Sequence, residues 1–319
     1  MVYWETRLTK PLWTVCSRVI LKYWDSMLQR QVSKTLIYSD IFDFPLTLEE
    51  IHKYLITDKK NSIEKVKEVL QADKKIKSKN GFYCLAGREK IISFRGHREK
   101  ESAKKIKNAY KIIKVFKFIP SIKLLGVSGS VSMKNADKND DIDLFIISEF
   151  RSVWLTRLAT VCILKLLRIY RGKNSVDVSN KFCLNMIIDE KNLVFQKSRQ
   201  DIYSAHEVVQ ILPLLVRDNI YQKFINANLW TKKYLANFEP VEIKNENIGF
   251  VSRLSLQIVQ ILNLEKIAKL IQIAYMGKIK GKETIRDGFL AFHPHDPRKK
   301  ILRSFKMKLR EYNFTTLGH

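Results

Sequence analysis

Asp141 and Asp143 stand two residues apart at the head of the apolar run Ile142-Asp-Leu-Phe-Ile-Ile147. Successive side chains of a strand face opposite ways, so the two carboxylates share one face while Ile142 and Leu144 take the other. Paired carboxylates near a strand start form a hard-oxygen site of the type Mg²⁺ prefers, because that ion keeps waters and shares ligands with substrate phosphates. Upstream, Ile122 to Ser128 reads as another strand, and Gly129-Ser130 as a tight turn from it into a short helix. Such a turn offers backbone N–H groups and a hydroxyl at a helix N-terminus, where a triphosphate can dock. Lys134 follows that helix, within reach of a triphosphate or simply solvated.

The elements before this segment have their own order. Lys34 to Tyr38 reads as a short helix, Phe44-Pro45 as a turn, and Thr47-Leu-Glu-Glu50 as a capping box opening a helix through Leu55. A third helix starts at Asn61 or Ser62, with Ile63, Val66, Val69 and Leu70 on one stripe and Glu64, Lys65, Lys67 and Glu68 elsewhere. Lys74 to Lys79, the dipeptide Asn80-Gly81 and the strand Phe82 to Leu85 then make a hairpin. Three helices and a hairpin resemble a winged helix, with Ser62 to Gln71 in the recognition position and Lys74, Lys75, Lys77 and Lys79 on the wing. Gly87 to Phe118 continues as one long basic helix, and Pro120 marks its end.

The Gly-Ser turn followed by Asp-x-Asp inside an apolar strand resembles the signature of the DNA polymerase β-like nucleotidyltransferase superfamily. The wider order, through Ser-Gly-Ser130 and Asp-Ile-Asp143 to the terminal His-Pro segment, is similar to bacterial nucleotidyltransferase-domain proteins. The resemblance implies an α+β fold whose core is a mixed sheet flanked by helices. It also implies a nucleoside triphosphate bound with two Mg²⁺ ions, or Mn²⁺ in their place. Gly129 and Ser130 would hold phosphates, and Asp141 and Asp143 would ligate metal. The family's third carboxylate lies on a later strand, and here Lys181 to Ile188 offers Asn185 on the alternation Cys183, Asn185, Ile187. Asp177, in Val176-Asp-Val178, is the other candidate for third metal ligand. An amide is a neutral and weaker ligand than a carboxylate, so Asn185 in that place would lower metal affinity.

The expected organisation is an N-terminal helix over 1–30, a winged-helix-like module over 31–95, a connecting helix over 96–118, the transferase core over 119–195 and an all-helical C-terminal domain over 196–319. The expected activity is transfer of a nucleoside monophosphate to an acceptor hydroxyl, with pyrophosphate leaving. The alternative is a nucleic-acid-binding regulator whose degenerate transferase domain senses nucleotide. A third reading places the basic, aromatic N-terminal helix on anionic lipid.

Composition bounds these readings. The 319 residues are 45% apolar, which excludes intrinsic disorder and fibrous classes. The 58 Lys plus Arg against 32 Asp plus Glu give +26, half of it within residues 1–120, so nucleic acid is an expected partner of the N-terminal third unless the excess is a lysine-rich bias. Cys16, Cys84, Cys162 and Cys183 show no ligand spacing and read as reduced, mostly buried thiols. Neither a signal peptide nor an integral membrane segment is expected, since Arg157, Lys165 and Arg168 interrupt the longest apolar stretch, and the location expected is cytoplasmic. His293-Pro-His-Asp296 reads as the cap of a last helix rather than a metal site, and His206 and Glu207 as surface at the start of a helix rather than a general base.

Overall fold

The computed structural model describes residues 27–172, 175, 177–247, 263–277, 284–291 and 297–312, so most of the expected N-terminal helix and the whole of His293 to Asp296 lie outside the described residues. Among the described residues no helix is long and apolar enough to cross a membrane.

The N-terminal elements form where their caps and turns dictate. Helix α1 covers residues 27–40. The capping box expected at Thr47 and Glu50 starts α2 (Leu48–Lys53), with both reciprocal bonds made, at 3.2 and 3.0 Å. Ser62 caps α3 (Ile63–Ala72), whose Val66 and Leu70 are buried. Strands β1 (Ile76–Lys79) and β2 (Phe82–Leu85) pair antiparallel through Asn80-Gly81, where φ is 54° and 79°. Two positive φ values in succession define a type I′ turn, the reason for the Asn-Gly pair. One core joins Val32, Leu36, Ile51, Val66, Leu70 and Leu85 across these elements.

Helix α4 (Lys90–Phe116) carries this group of elements to the rest of the chain. Its Arg95 is only 1% exposed; it donates to the Pro45 carbonyl at 2.9 Å and to Glu50 at 2.7 Å, and lies 4.1 Å from the Phe44 ring centroid. A guanidinium buried so completely needs that full set of partners.

The sheet is built from β3 (Ile122–Ser128), β4 (Ile142–Ser148), β5 (Phe182–Asp189), β6 (Leu212–Val216), β7 (Thr284–Arg286) and β8 (Phe289–Ala291), in the order β6-β3-β4-β5-β8-β7. Only β4 and β5 run parallel, which makes it a mixed sheet of an α+β protein. A parallel pair requires a crossover, and α6 (Val153–Leu166) supplies it. Among the described residues the other α-helices are α5 (Gly129–Ser132), α7 (Ile202–Val209), α8 (Ile220–Ala227), α9 (Leu264–Gly277) and α10 (Arg298–Glu311).

The C-terminal part departs from the all-helical expectation. Strand β6 pairs with β3, and the β7–β8 hairpin pairs with β5, so residues beyond 196 complete the sheet at both edges. Two local signals explain this. Leu212-Pro-Leu-Leu-Val216 is a short apolar run whose proline suits an edge strand, and Asp287-Gly288, with φ 70° at the glycine, is a hairpin turn. Gly126 also belongs to this arrangement, because a Cβ there would come within 2.8 Å of the Ile211 side chain beneath β6.

The sheet has a core on each face. Leu125, Val127, Leu144, Ile146 and Ile187 pack with Ile112 and Phe116 of α4 and Trp154 and Leu164 of α6. Leu124, Phe145, Ile147, Met186 and Ile188 pack on the other side with α7, α8 and the N-terminal elements. Asp141 and Asp143 share the parity of Phe145 and Ile147, so they open toward this second face.

Candidate active site

Register brings the candidate residues together. Ser128 of β3 lies opposite Asp143 of β4, and Asp143 lies beside Cys183 of β5. Side chains paired in this way point to the same face, which gives a row Ser128, Asp143, Cys183 across three strands. Ligand atoms of Asp141, Asp143 and Cys183 lie within 4.8 Å of one another.

Gly129 follows at the end of β3 with φ 68°, and a Cβ on it would stand 3.1 Å from Asp143 Oδ2. The turn therefore needs glycine twice over, for its left-handed backbone and for its approach to the carboxylate. The expected adjacency of the Gly-Ser turn and the Asp-x-Asp strand is present. Ser130 Oγ donates to Asp140 Oδ2 at 3.1 Å, and the same oxygen accepts the Asp137 N–H at 2.9 Å. With the hydroxyl proton committed to Asp140, the turn's backbone N–H groups are its donors toward an anion. Lys134, beyond them, is exposed with φ 57°.

The loop between α5 and β4 is clamped by α4. Arg98 donates to Asn135 Oδ1 at 3.0 Å, Ser102 Oγ accepts the Ala136 N–H at 2.9 Å, and the fully buried Lys105 donates to the carbonyls of Lys138 and Asp140 at 3.0 and 2.7 Å. These three lie on successive turns of one helix face. The long basic helix thus positions the carboxylate strand, a role its charge alone did not announce.

Electrostatics distinguish the two aspartates. Asp141 accepts from Arg171 Nη1 at 2.6 Å. Burial first, and the Asp141 charge second, push Asp143 up to about 7, against the opposing pull of Arg171. Burial pushes the Cys183 thiol up to about 12, helped by the charges of Asp143 and Asp141, so at neutral pH it is protonated.

The two candidates for third ligand are placed differently. Asn185 is buried and donates from Nδ2 to Ser128 Oγ at 3.1 Å. It occupies a β-bulge, where the register moves from Leu144↔Leu184 to Phe145↔Met186. The extra residue breaks the alternation read from Cys183, Asn185 and Ile187, leaving Ile187 in the opposite core and Asn185 free to reach across β4. Asp177 is exposed and accepts the Ser179 N–H at 2.9 Å in its own loop. Cys183, which sequence reasoning treated only as a buried thiol, is the side chain beside Asp143; Cys162, treated alike, is exposed.

The chain matches no family model, no curated protein and no solved structure. Its chemistry therefore rests on its own geometry.

Two residues discounted from sequence belong to this region. His206 is 5% exposed rather than on the surface, with its ring stacked on Tyr38 at 4.3 Å. Glu207 borders the cavity that begins at Gly129 and Ser130, and its charge contributes to the rise at Asp143. Asp201 accepts the Ser204 N–H at 3.0 Å and caps the start of α7, which carries both residues. The signal was legible in the apolar stripe Ile202, Ala205, Val208 and Val209, which places position 206 beside a buried face.

Proposed function

We propose that the chain is a nucleotidyltransferase of the polymerase β-like kind, and that the winged-helix-like elements and α4 serve to hold its transferase core. The observation that carries this reading is the meeting of the Gly129-Ser130 turn with Asp143, beside Asp141, on one face of a mixed sheet. The donor set fits a hard divalent cation, with two carboxylates converging and a protonated thiol that contributes little. Bound there, such a cation supplies charge neutralisation for a triphosphate and for the pyrophosphate that leaves. Asp141 and Asp143 would hold it, and the backbone N–H groups of Gly129 and Ser130 would orient the phosphates. Arg171, paired with Asp141, adds a positive charge at the same edge.

In the reaction, an acceptor hydroxyl attacks the α-phosphorus, the bond to pyrophosphate breaks with its electron pair, and the hydroxyl proton passes to a carboxylate or to water.

One observation favours a second reading, a site that binds nucleotide without turning it over. No carboxylate stands at the Asn185 and Cys183 positions of β5. The test is pyrophosphate release from an equimolar mixture of the four nucleoside triphosphates with Mg²⁺ and, separately, Mn²⁺. Metal-dependent release lost in Asp143→Asn supports transfer; binding without release supports the second reading; neither binding nor release contradicts both.

A further inference from the structure

A cavity of about 300 Å³ opens from the Gly129-Ser130 turn between the N-terminal elements, α7 and the start of α10. Its walls include Tyr38, Phe42, Phe44, Tyr54 and Tyr203, with Met133 and Ile301 between them. It is the size of a small-ligand pocket and has the composition of one, apolar and aromatic with a few polar groups.

Its charge is as informative as its shape. The lining holds no Lys or Arg among the described residues, and Glu207 is its one carboxylate. An anionic group entering it would meet apolar and aromatic walls with no Lys or Arg among the described lining residues, so the phosphates of a nucleotide or of a nucleic acid backbone belong outside, on the turn. This contrasts with a chain of net charge +26.

A hydrogen-bonding group waits at the wall. His206 Nδ1 is bonded to the Gln210 amide at 2.9 Å, and the buried Nε2 has no partner among the described residues. Burial holds the ring neutral, driving its pKa down to about 3. A buried polar atom with no protein partner is satisfied by a water or by a ligand group. The same ring stacks face to face on Tyr38 with an interplanar angle of 11°, so the two rings hold each other in place within the lining.

We propose that this cavity binds a neutral planar ring bearing a hydrogen-bonding group, held against Tyr38 and His206 with its reactive side toward the Gly129-Ser130 turn. The proposal rests on the nucleotidyltransferase reading for what lies on the turn. Two sources share this chemistry, the base of the nucleoside triphosphate and a small aromatic acceptor.

The probe is 2-naphthol, neutral at pH 7 and fluorescent, titrated into the full chain by anisotropy. Saturable binding is expected, weakened about tenfold or more for 2-naphthoate, which brings a carboxylate, and less for 2-methylnaphthalene, which lacks the hydroxyl. Ile301→Trp, which fills the cavity from α10, should abolish it. A second filling variant, Ser39→Phe, guards against a folding defect in the first. Equal binding of naphthol and naphthoate, or binding unchanged in both filled variants, overturns the proposal. Displacement of naphthol by free nucleosides identifies the base as the occupant, and its persistence identifies an acceptor. Mg²⁺ with inorganic tripolyphosphate, titrated calorimetrically, tests the turn separately. Naphthol bound without tripolyphosphate refutes the nucleotidyl reading and leaves the ring cavity standing, whereas tripolyphosphate bound without naphthol overturns the cavity alone.

Discussion

The two ends of the central strands solve the same electrostatic problem in opposite ways. At the start of β3, Lys123 is 8% exposed and reaches Glu149, Glu190 and Asp218 at 3.0, 2.7 and 3.3 Å. Burial opposes its charge, and the hydrogen bonds with Glu190 and Glu149 outweigh that, holding the ammonium above its ordinary range. At the other end, Asp141 and Asp143 converge with a cation, Arg171, that pairs with Asp141 and leaves Asp143 pushed up to about 7. The first cluster puts all three carboxylates in contact with one ammonium, so each has a cation although negative charge is in excess; in the second, Asp143 has no ion pair among the described residues. The difference lies in the pairing: every carboxylate at the first end touches a cation, whereas at the second end Asp141 does and Asp143 does not, which is where the proposed cation would add most.

The largest test of this contrast is Lys123→Met. Removing the shared cation leaves three carboxylates facing one another, and stability should fall by about 3–5 kcal/mol. Urea unfolding measures it, and a loss below about 1 kcal/mol would mean that the cluster is solvated and the contrast false. Next come the paired amide substitutions. Asp143→Asn should stabilise the metal-free protein by about 1–3 kcal/mol at pH 8, because it removes a half-buried charge that has no sufficient partner, whereas Glu190→Gln should destabilise by a similar amount. Equal signs in the two variants would break the comparison.

A smaller effect follows from pH alone. The folded-state pKa of Asp143 lies above its ordinary 3.8, so the folded protein binds more protons between that value and about 7. Its contribution to stability is therefore present at low pH and lost as pH rises through that window. Thermal melting without divalent ions should show this fall, Asp143→Asn should lack it, and saturating Mg²⁺ should remove it by favouring the ionised form. A melting temperature that follows the same pH course with and without Mg²⁺ in the wild-type protein would contradict the assignment.

Legibility in the sequence divides along similar lines. Strands Ile122–Ser128 and Ile142–Ser148 were readable residue for residue, as were the Thr47 capping box and the Asn80-Gly81 turn, because each depends on local patterning. The edge strand Leu212–Val216 and the strand Phe289–Ala291 were not, because runs this short are fixed by their pairing with β3 and β5. In the site, Gly129, Asp141 and Asp143 follow from type and spacing. The bulge at Asn185 does not, since it arises from registering β5 against β4, and neither does the pairing of Cys183 with Asp143 just before it. The buried Arg95 and Lys105 were equally hidden, counted among a solvated basic stripe until tertiary partners drew them in.

The smallest expected effect lies farthest from both clusters. Lys74, Lys75, Lys77 and Lys79 are all exposed around the β1–β2 hairpin, while Glu64 and Glu68 are exposed on α3. If this face contacts nucleic acid it does so through phosphates, so replacing the four lysines by Gln should weaken binding of all sequences alike and flatten its salt dependence by up to about four counterions. Anisotropy across a salt series measures it. Unchanged slope would remove the hairpin from any nucleic-acid interface while leaving the two-ended sheet untouched.

The central claim is the proposal that the end of the sheet holding Asp141 and Asp143 receives a divalent cation together with a triphosphate. Isothermal titration of the wild-type chain, Asp141→Ala and Asp143→Ala with nucleoside triphosphates, each with and without Mg²⁺, tests it most directly. Binding that requires Mg²⁺ in the wild type and falls by at least about tenfold in both variants is the predicted result. Wild-type affinity in both variants, or nucleotide binding indifferent to Mg²⁺, would contradict it.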